Sequence, residues 1–372
     1  MPVPLLDLVS QYDTIRSEVD AAVAEVVRSQ RFILGPTVER FEAAIAEYIG
    51  VRHAIGCASG TDAILLSLRA LDIEPGAEVI VPAFTFFATA GAVWNAGLTP
   101  VFVDIDPVSY NVDPESVRRA VTSRTRAIIP VHLFGQMADM DAIMAVAAEH
   151  GLHVVEDAAQ AIGAMQRIGG ELRAAGTVGA TGAFSFFPTK NLGGFGDGGL
   201  VTTNDDGLAD RLRKLRVHGG RQMYHHEMVG YNSRLDAIQA AVLSAKLPHL
   251  DRWTRLRREH ASFYEKRLAR LEPYVRVPRT MERNEHVFNQ YTLWVERRDE
   301  LKRFLDDRGI GNSIYYPVPL HLQECFRSLG YRPGDLPVSE AAAQHVISIP
   351  VFPELSEEQR EEVAARIEEF YR

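Results

Sequence analysis

The sequence predicts an α/β fold carried by a large, mainly parallel sheet of seven strands, followed by a smaller α+β unit. Three observations lead there. Seven short apolar runs recur between residues 53 and 203. Helix-like segments separate several of them, which favours parallel pairing with helices on both faces. The residues best suited to chemistry follow the ends of these runs, where open sheets of this kind bind ligands.

In chain order, residues 1–50 read as helices, with Ile15, Val19, Val23 and Val26, then Val38, Phe41, Ile45 and Tyr48, at helical spacing. The strand candidates are 53–58, 78–82, 100–105, 126–131, 153–157, 182–186 and 199–203, with helices predicted over Thr61–Leu71, Asp113–Ala120 and Met140–His150. The pattern changes near Gly230. A helical stretch from Ser233 to about Arg270 is broken at Pro248, and an alternating strand spans Val287–Val295. A helix (299–308), a strand (346–350) and a helix opened by the capping signature Ser356-Glu-Glu-Gln359 complete the chain. The expected division is a large domain over 1–230 and a smaller one over 231–372.

The 372 residues are 46% hydrophobic and 24% charged, a composition that supports a folded core. No run of about 20 apolar residues occurs, as a membrane span requires, and the N-terminal segment has no basic region typical of a secretory signal. The two cysteines, Cys57 and Cys325, form no disulfide framework or metal-ligand pattern, so a cytoplasmic, metal-free protein is expected. A net charge of −9 argues against nucleic acid as the partner. The basic clusters at 211–221 and 252–258 read mainly as solvated helix faces.

Three motifs carry chemistry. Ser59-Gly60-Thr61 lies between a strand and a helix, where the first amides and the Thr61 hydroxyl suit an oxyanion, although Ser59 could simply cap the helix. Glu156-Asp157-Ala-Ala-Gln160 ends a buried strand. Alternation sends the two carboxylates to opposite faces, so one of them addresses a ligand. Ser185-Phe-Phe-Pro-Thr-Lys190-Asn-Leu-Gly193 sets a lysine just past a strand end, where burial would favour the neutral amine that a Schiff base needs. An anion cradle, a buried aspartate and such a lysine are the parts that pyridoxal phosphate chemistry requires. Gly194-Phe-Gly-Asp-Gly-Gly199 fits a dinucleotide fingerprint but precedes a strand instead of opening a helix, which excludes that reading.

Taken together, SGTDAILLSL, VPAFTFFATA, PVHLFGQMADMDAI, VVEDAAQAIGA, SFFPTKNLGGFGDGG and GYNSRLDAIQAA resemble the DegT/DnrJ/EryC1/StrS family of sugar aminotransferases, in family order and across the whole chain. The resemblance implies the fold of aspartate aminotransferase-like pyridoxal phosphate enzymes. It implies that Lys190 holds the cofactor covalently and then shuttles protons, and that Asp157 pairs with the pyridinium nitrogen. Gln160 would bond the phenolic oxygen, Phe86 would stack on the ring, and Gly60, Thr61 and Ser185 would hold the phosphate. Asn232 would serve the phosphate of a neighbouring subunit, making a homodimer with shared active sites. Arg234, Tyr315, Tyr316 and His321 would face the substrate. Many members carry His-Tyr-Pro where this chain has Tyr315-Tyr316-Pro317.

The implied reaction moves an amino group from glutamate, through pyridoxamine phosphate, to a nucleotide-linked keto-sugar. The Gln of EDAAQ, the GQ of LFGQ and the GDGG after the lysine are similar to members acting on 3-keto rather than 4-keto sugars. Two alternatives within the family are a regulatory, non-catalytic member and a sugar dehydratase. The dehydratases replace the lysine with histidine, so Lys190 disfavours that reading.

Overall fold

All seven apolar runs join one sheet. The computed structural model describes residues 2–222 and 224–372. Strands β1 (His53–Cys57), β2 (Glu78–Pro82), β3 (Thr99–Val103), β4 (Thr125–Ile128) and β5 (His153–Asp157) are followed by a hairpin, β6 (Met165–Ile168) and β7 (Glu171–Ala174). Strands β8 (Thr181–Ser185) and β9 (Gly199–Thr203) return to the sheet, whose order is β1-β9-β8-β5-β4-β2-β3. Pairing is parallel from β8 across to β3, and β9 runs antiparallel to both of its neighbours.

Alternation divides each strand between two apolar layers. Ile80, Ile128 and Val154 enter one layer with Phe41, Ile45 and Phe184, while Val79, Val81, Ala127 and Val155 enter the other with Leu66 and Leu212. Burial on both faces explains why these strands read as unbroken apolar runs.

Several helices begin at side chains that satisfy their first amides. Helix α1 (Leu8–Ser29) starts at Asp7, and α2 (Pro36–Ile49) has Pro36 in its first turn and ends at Gly50 with φ +82°. Ser59 caps α3 (Gly60–Ala70), with its hydroxyl accepting from the Asp62 amide. Helix α4 (Ala88–Asn95) follows β2. Asp113 caps α5 (Pro114–Ala120), Asp139 caps α6 (Met140–His150), and Asp205 caps α7 (Asp206–Leu215).

Asp236 starts α8 (Ala237–Lys246), the helical path breaks at Pro248, and α9 (Leu250–Leu268) continues it. The C-terminal sheet has order β10 (Val275–Arg276), β12 (Tyr291–Val295), β13 (Val346–Ile349), while β11 (Asn284–Glu285) extends the β6–β7 hairpin. Helices α10 (Arg298–Asp307), α11 (Pro337–His345) and α12 (Glu357–Phe370) complete this part, and Ser356 and Gln359 form the expected reciprocal cap.

The strand expected over 287–295 is shorter, because residues before Tyr291 spend their backbone groups elsewhere. The Val287 and Asn289 amides donate to the carbonyls of Gly135 and Phe134. The basic clusters are also less solvated than expected. Arg216 is buried against Glu42, and Arg257 is buried while donating to the Val351 carbonyl at 2.5 Å. Segments cross between the two halves of the chain. Helix α8 shares the apolar layer of α2, whereas Val3 packs into the core of the C-terminal sheet.

Candidate active site

Strand β5 delivers its last two residues to different tasks. The Glu156 carboxylate lies 2.9 Å from His132 Nε2 and accepts from the amides of Gly176, Val178 and Gly179 at 2.9, 2.7 and 2.7 Å. His132 Nδ1 accepts from the Ala138 amide, so the ring proton sits on Nε2 and is donated to Glu156. Burial pushes this carboxyl up, but His132 and the amides outweigh burial and hold it below the usual carboxylate range. Glu156 is thereby a fully committed anchor between strands.

Asp157, on the opposite face, is less well served. It accepts from Thr89 Oγ1 at 2.8 Å and from the Ala159 amide at 3.2 Å. Burial pushes its carboxyl above the ordinary range, and Thr89, Ala159 and the charge of Lys190 only partly offset this. A cation beside it would restore the ionised form.

Lys190 is half-buried in the loop after β8, and burial lowers its amine to about 8 against the opposing pull of Asp157. The loop is held from several sides. The Lys190 amide donates to the Phe187 carbonyl, and Asn191 donates to the Val287 carbonyl at 3.2 Å while accepting from Asn289 at 2.9 Å. Buried Lys246 donates to the Gly193 carbonyl at 2.8 Å. A Cβ on Gly193 would stand 2.3 Å from the Pro188 carbonyl oxygen, so only glycine allows this fold-back.

The third part is a cradle. A Cβ on Gly60 would meet Ser185 Cβ at 2.7 Å and Ser185 Oγ at 3.2 Å. The close approach brings the Ser185 hydroxyl beside the N-terminus of α3, whose first amides have no partners within the helix. Helix polarity and a hydroxyl together suit a phosphate. Ser233 fixes the neighbouring turn by donating to Asp62 at 2.6 Å and accepting from the Ala58 amide. On either side of buried Ser233, Asn232 is exposed and Arg234 half-buried, and neither side chain has a hydrogen bond among the described residues.

Gln160 Oε1 accepts from the Phe134 amide at 2.6 Å, and its Nε2 faces Tyr316 Oη at 3.3 Å. The Tyr316 ring lies 6.1 Å from both Phe84 and Phe86, with Tyr315 at 5.9 Å. Burial raises the Tyr316 hydroxyl, and the nearby charge of Asp157 adds to this. Phe86 is 58% exposed, so it is a rim residue and not part of the core. His321 lies apart: it is buried, with Nε2 3.2 Å from Glu340 and its ring against Tyr331.

Thr89, His132, Asn191 and Asn289 are the partners that sequence reasoning missed. His132 and Thr89 lie within quoted motifs, PVHLFG and FFATA, but no spacing shows which strand end they face.

A candidate phosphate cradle, a carboxylate that gains by meeting a cation and an amine eased towards neutrality are the kinds of group that pyridoxal phosphate chemistry uses. The molecule is therefore a pyridoxal phosphate-dependent transferase in class. The chain belongs to the DegT/DnrJ/EryC1/StrS aminotransferase family, whose model matches residues 13–368. It is 54% identical to the "Pleiotropic regulatory protein" of Geobacillus stearothermophilus, over 100% of this chain and 99% of that one. It is 47% identical to the UDP-N-acetyl-3-dehydro-alpha-D-glucosamine 3-aminotransferase of Acidithiobacillus ferrooxidans, covering 98% and 97%. The crystal structure of S. venezuelae DesV with a ketimine intermediate superposes with a TM-score of 0.96, at 48% identity over 100% and 98% of the two chains. The family and enzyme class expected from the motifs are both upheld.

Proposed function

We propose that this aminotransferase moves an amino group from glutamate to C-3 of a keto-hexose carried on a nucleoside diphosphate, as a cytoplasmic homodimer with shared active sites. The observation that carries it is the amine of Lys190, lowered to about 8 and set on the same sheet edge as Asp157 and the cradle. The 3-aminotransferase among its relatives supports the choice of sugar position. The regulatory name of another relative does not favour a non-catalytic reading, because Lys190, Asp157 and the cradle are all intact here.

When bound, pyridoxal phosphate supplies an electron sink and stores the amino group as pyridoxamine phosphate between two half-reactions. Gly60, Thr61 and Ser185 would hold its phosphate, Asp157 would keep a proton on its ring nitrogen, and Gln160 would bond its ring oxygen. Phe86 would pack against its ring, and Asn232 of a second copy would serve the phosphate. The Lys190 amine would hold the group's aldehyde and would serve as the acid and base that moves a proton at the substrate carbon. An amine with a value near 8 is suited to both directions of that transfer. Arg234, Tyr315, Tyr316 and His321 are assigned to the sugar nucleotide. The Arg234 guanidinium, without a hydrogen bond among the described residues, would be offered to a diphosphate, whereas His321 is buried against Glu340 and Tyr331 and would act on the sugar nucleotide only indirectly.

The test is incubation of the pyridoxamine form with 3-keto and 4-keto sugar nucleotides, followed by location of the new C–N bond. Amination at C-3 supports the proposal. Exclusive amination at C-4, or no amination with glutamate as donor, overturns it.

A further inference from the structure

We propose that Thr89 is the positioning residue that sets the proton affinity of Asp157, and through Asp157 the charge on the cofactor's ring nitrogen. The inference rests on the assignment of Asp157 given above. Thr89 stands in the first turn of α4, completely buried, with Oγ1 2.8 Å from Asp157 Oδ2. Thr85, four residues earlier in the loop leading into α4 and also buried, has its hydroxyl 3.2 Å from Thr89 Oγ1.

The direction of these bonds follows from their chemistry. An ionised carboxylate only accepts, so the Thr89 proton is committed to Asp157. Thr85 then donates to Thr89, giving two hydroxyls polarised in series towards one carboxylate. Beyond them, the Asp157 carboxylate receives a hydrogen bond only from the Ala159 amide, at 3.2 Å, among the described residues.

The contrast with Glu156 is informative. Both carboxylates are buried at the end of one strand, yet Glu156 has three amides and a histidine where Asp157 has one hydroxyl and one amide. Glu156 is held as an anion without a ligand. Asp157 is left short, so that its charge is completed by a cation brought in on the other side, and Thr89 supplies the stronger of its two native bonds. Lys190 is the charged group that bears on it, with His132 and Tyr316 the other ionisable groups nearby. Deleting a hydrogen bond to a charged acceptor raises the proton affinity of Asp157 by about tenfold to a hundredfold. A proton shared with the ring nitrogen would then shift towards Asp157, and the ring would lose the positive charge that makes it an electron sink.

The experiment uses holoenzyme loaded with cofactor labelled with 15N at the ring nitrogen, comparing wild type, Thr89→Val, Thr89→Ser and Asp157→Asn by NMR. Thr89→Val keeps the side-chain shape and removes the hydroxyl. Its nitrogen signal is expected to move downfield, towards neutral pyridine, with kcat reduced about tenfold to a hundredfold and KM for the amino donor unchanged. Thr89→Ser restores the wild-type signal. A Thr89→Val holoenzyme with the wild-type signal overturns the proposal. Should valine perturb packing, Thr89→Ala is read in the same way, and an unmoved signal is equally fatal. If Asp157→Asn leaves the signal unmoved, the assignment of Asp157 itself has failed. A response to Asp157→Asn without one to Thr89→Val removes only the role of Thr89.

Discussion

Glu156 and Asp157 are adjacent in the chain, yet their carboxylates sit on opposite faces of β5, one closed off by His132 and three amides and the other held by Thr89 and Ala159. The two substitutions should therefore have opposite signatures. Glu156→Gln breaks a buried polar cluster and is expected to cost about 3–5 kcal/mol of stability. Its remaining folded fraction should keep a near-normal kcat. Asp157→Asn should fold normally and lose at least about a hundredfold in kcat, since it no longer stabilises ring charge. Denaturation curves and single-turnover rates on both proteins check this.

Gly60→Ala should damage cofactor binding more than folding. The added Cβ would press on Ser185 at 2.7 Å, and relief requires the cradle to open. Overpacking of this kind costs about 1–3 kcal/mol. Titration of the stripped protein with pyridoxal phosphate should show Kd raised by at least tenfold. An unchanged Kd would show that the phosphate is held elsewhere.

The lowered amine of Lys190 gives a pH signature in the cofactor-free protein. Its value falls from 10.5 in the unfolded chain to about 8 when folded, so the folded state disfavours the charged form. That penalty is fully present below pH 8, shrinks as pH rises, and is gone above 10.5. Lys190→Met without cofactor should thus be more stable than wild type at pH 7, and the gap should close between pH 8 and 10.5. Urea midpoints at several pH values measure it. A gap that widened with pH would contradict the burial of the amine.

Beside the cradle of their own chain, Asn232 and Arg234 have no side-chain hydrogen bond among the described residues, which suits service to a second copy. Lys190→Ala and Asn232→Ala proteins, each inactive, should complement when mixed and reassembled. Random pairing leaves one intact site in half of the dimers, so about a quarter of wild-type activity should return. No recovery on mixing would mean that each chain builds its site alone.

The sheet was legible because both of its faces are buried, so every strand announces itself as an apolar run. The hairpin of β6 and β7 was not, since each strand has only four residues and Arg167, Glu171 and Leu172 are exposed, so neither reads as a buried apolar run. The site was legible where chemistry demands a residue type at a strand end, as with Asp157 and Lys190. It was opaque where the role depends on contact across the fold. Thr89 meets Asp157 from 68 residues away, and Asn289 meets Asn191 from 98. No local spacing encodes either meeting. The shortened strand at Tyr291 has the same origin, because Val287 and Asn289 answer to the loop at Phe134 and Gly135 instead of to a neighbouring strand.

The bond between Asn191 and Asn289 ties the residue after the reactive lysine to the chain that leads directly into β12. The region carrying Tyr315 and Tyr316 lies beyond that strand, in the part of the molecule assigned to sugar recognition. A change there that re-seats the C-terminal sheet is expected to reach Lys190 through this bond. New sugar substrates should therefore come at some cost in kcat, unless the Asn191–Asn289 bond is preserved. Substitutions that alter sugar choice while sparing kcat should fall on side chains alone and leave the backbone near Val287–Asn289 where it is.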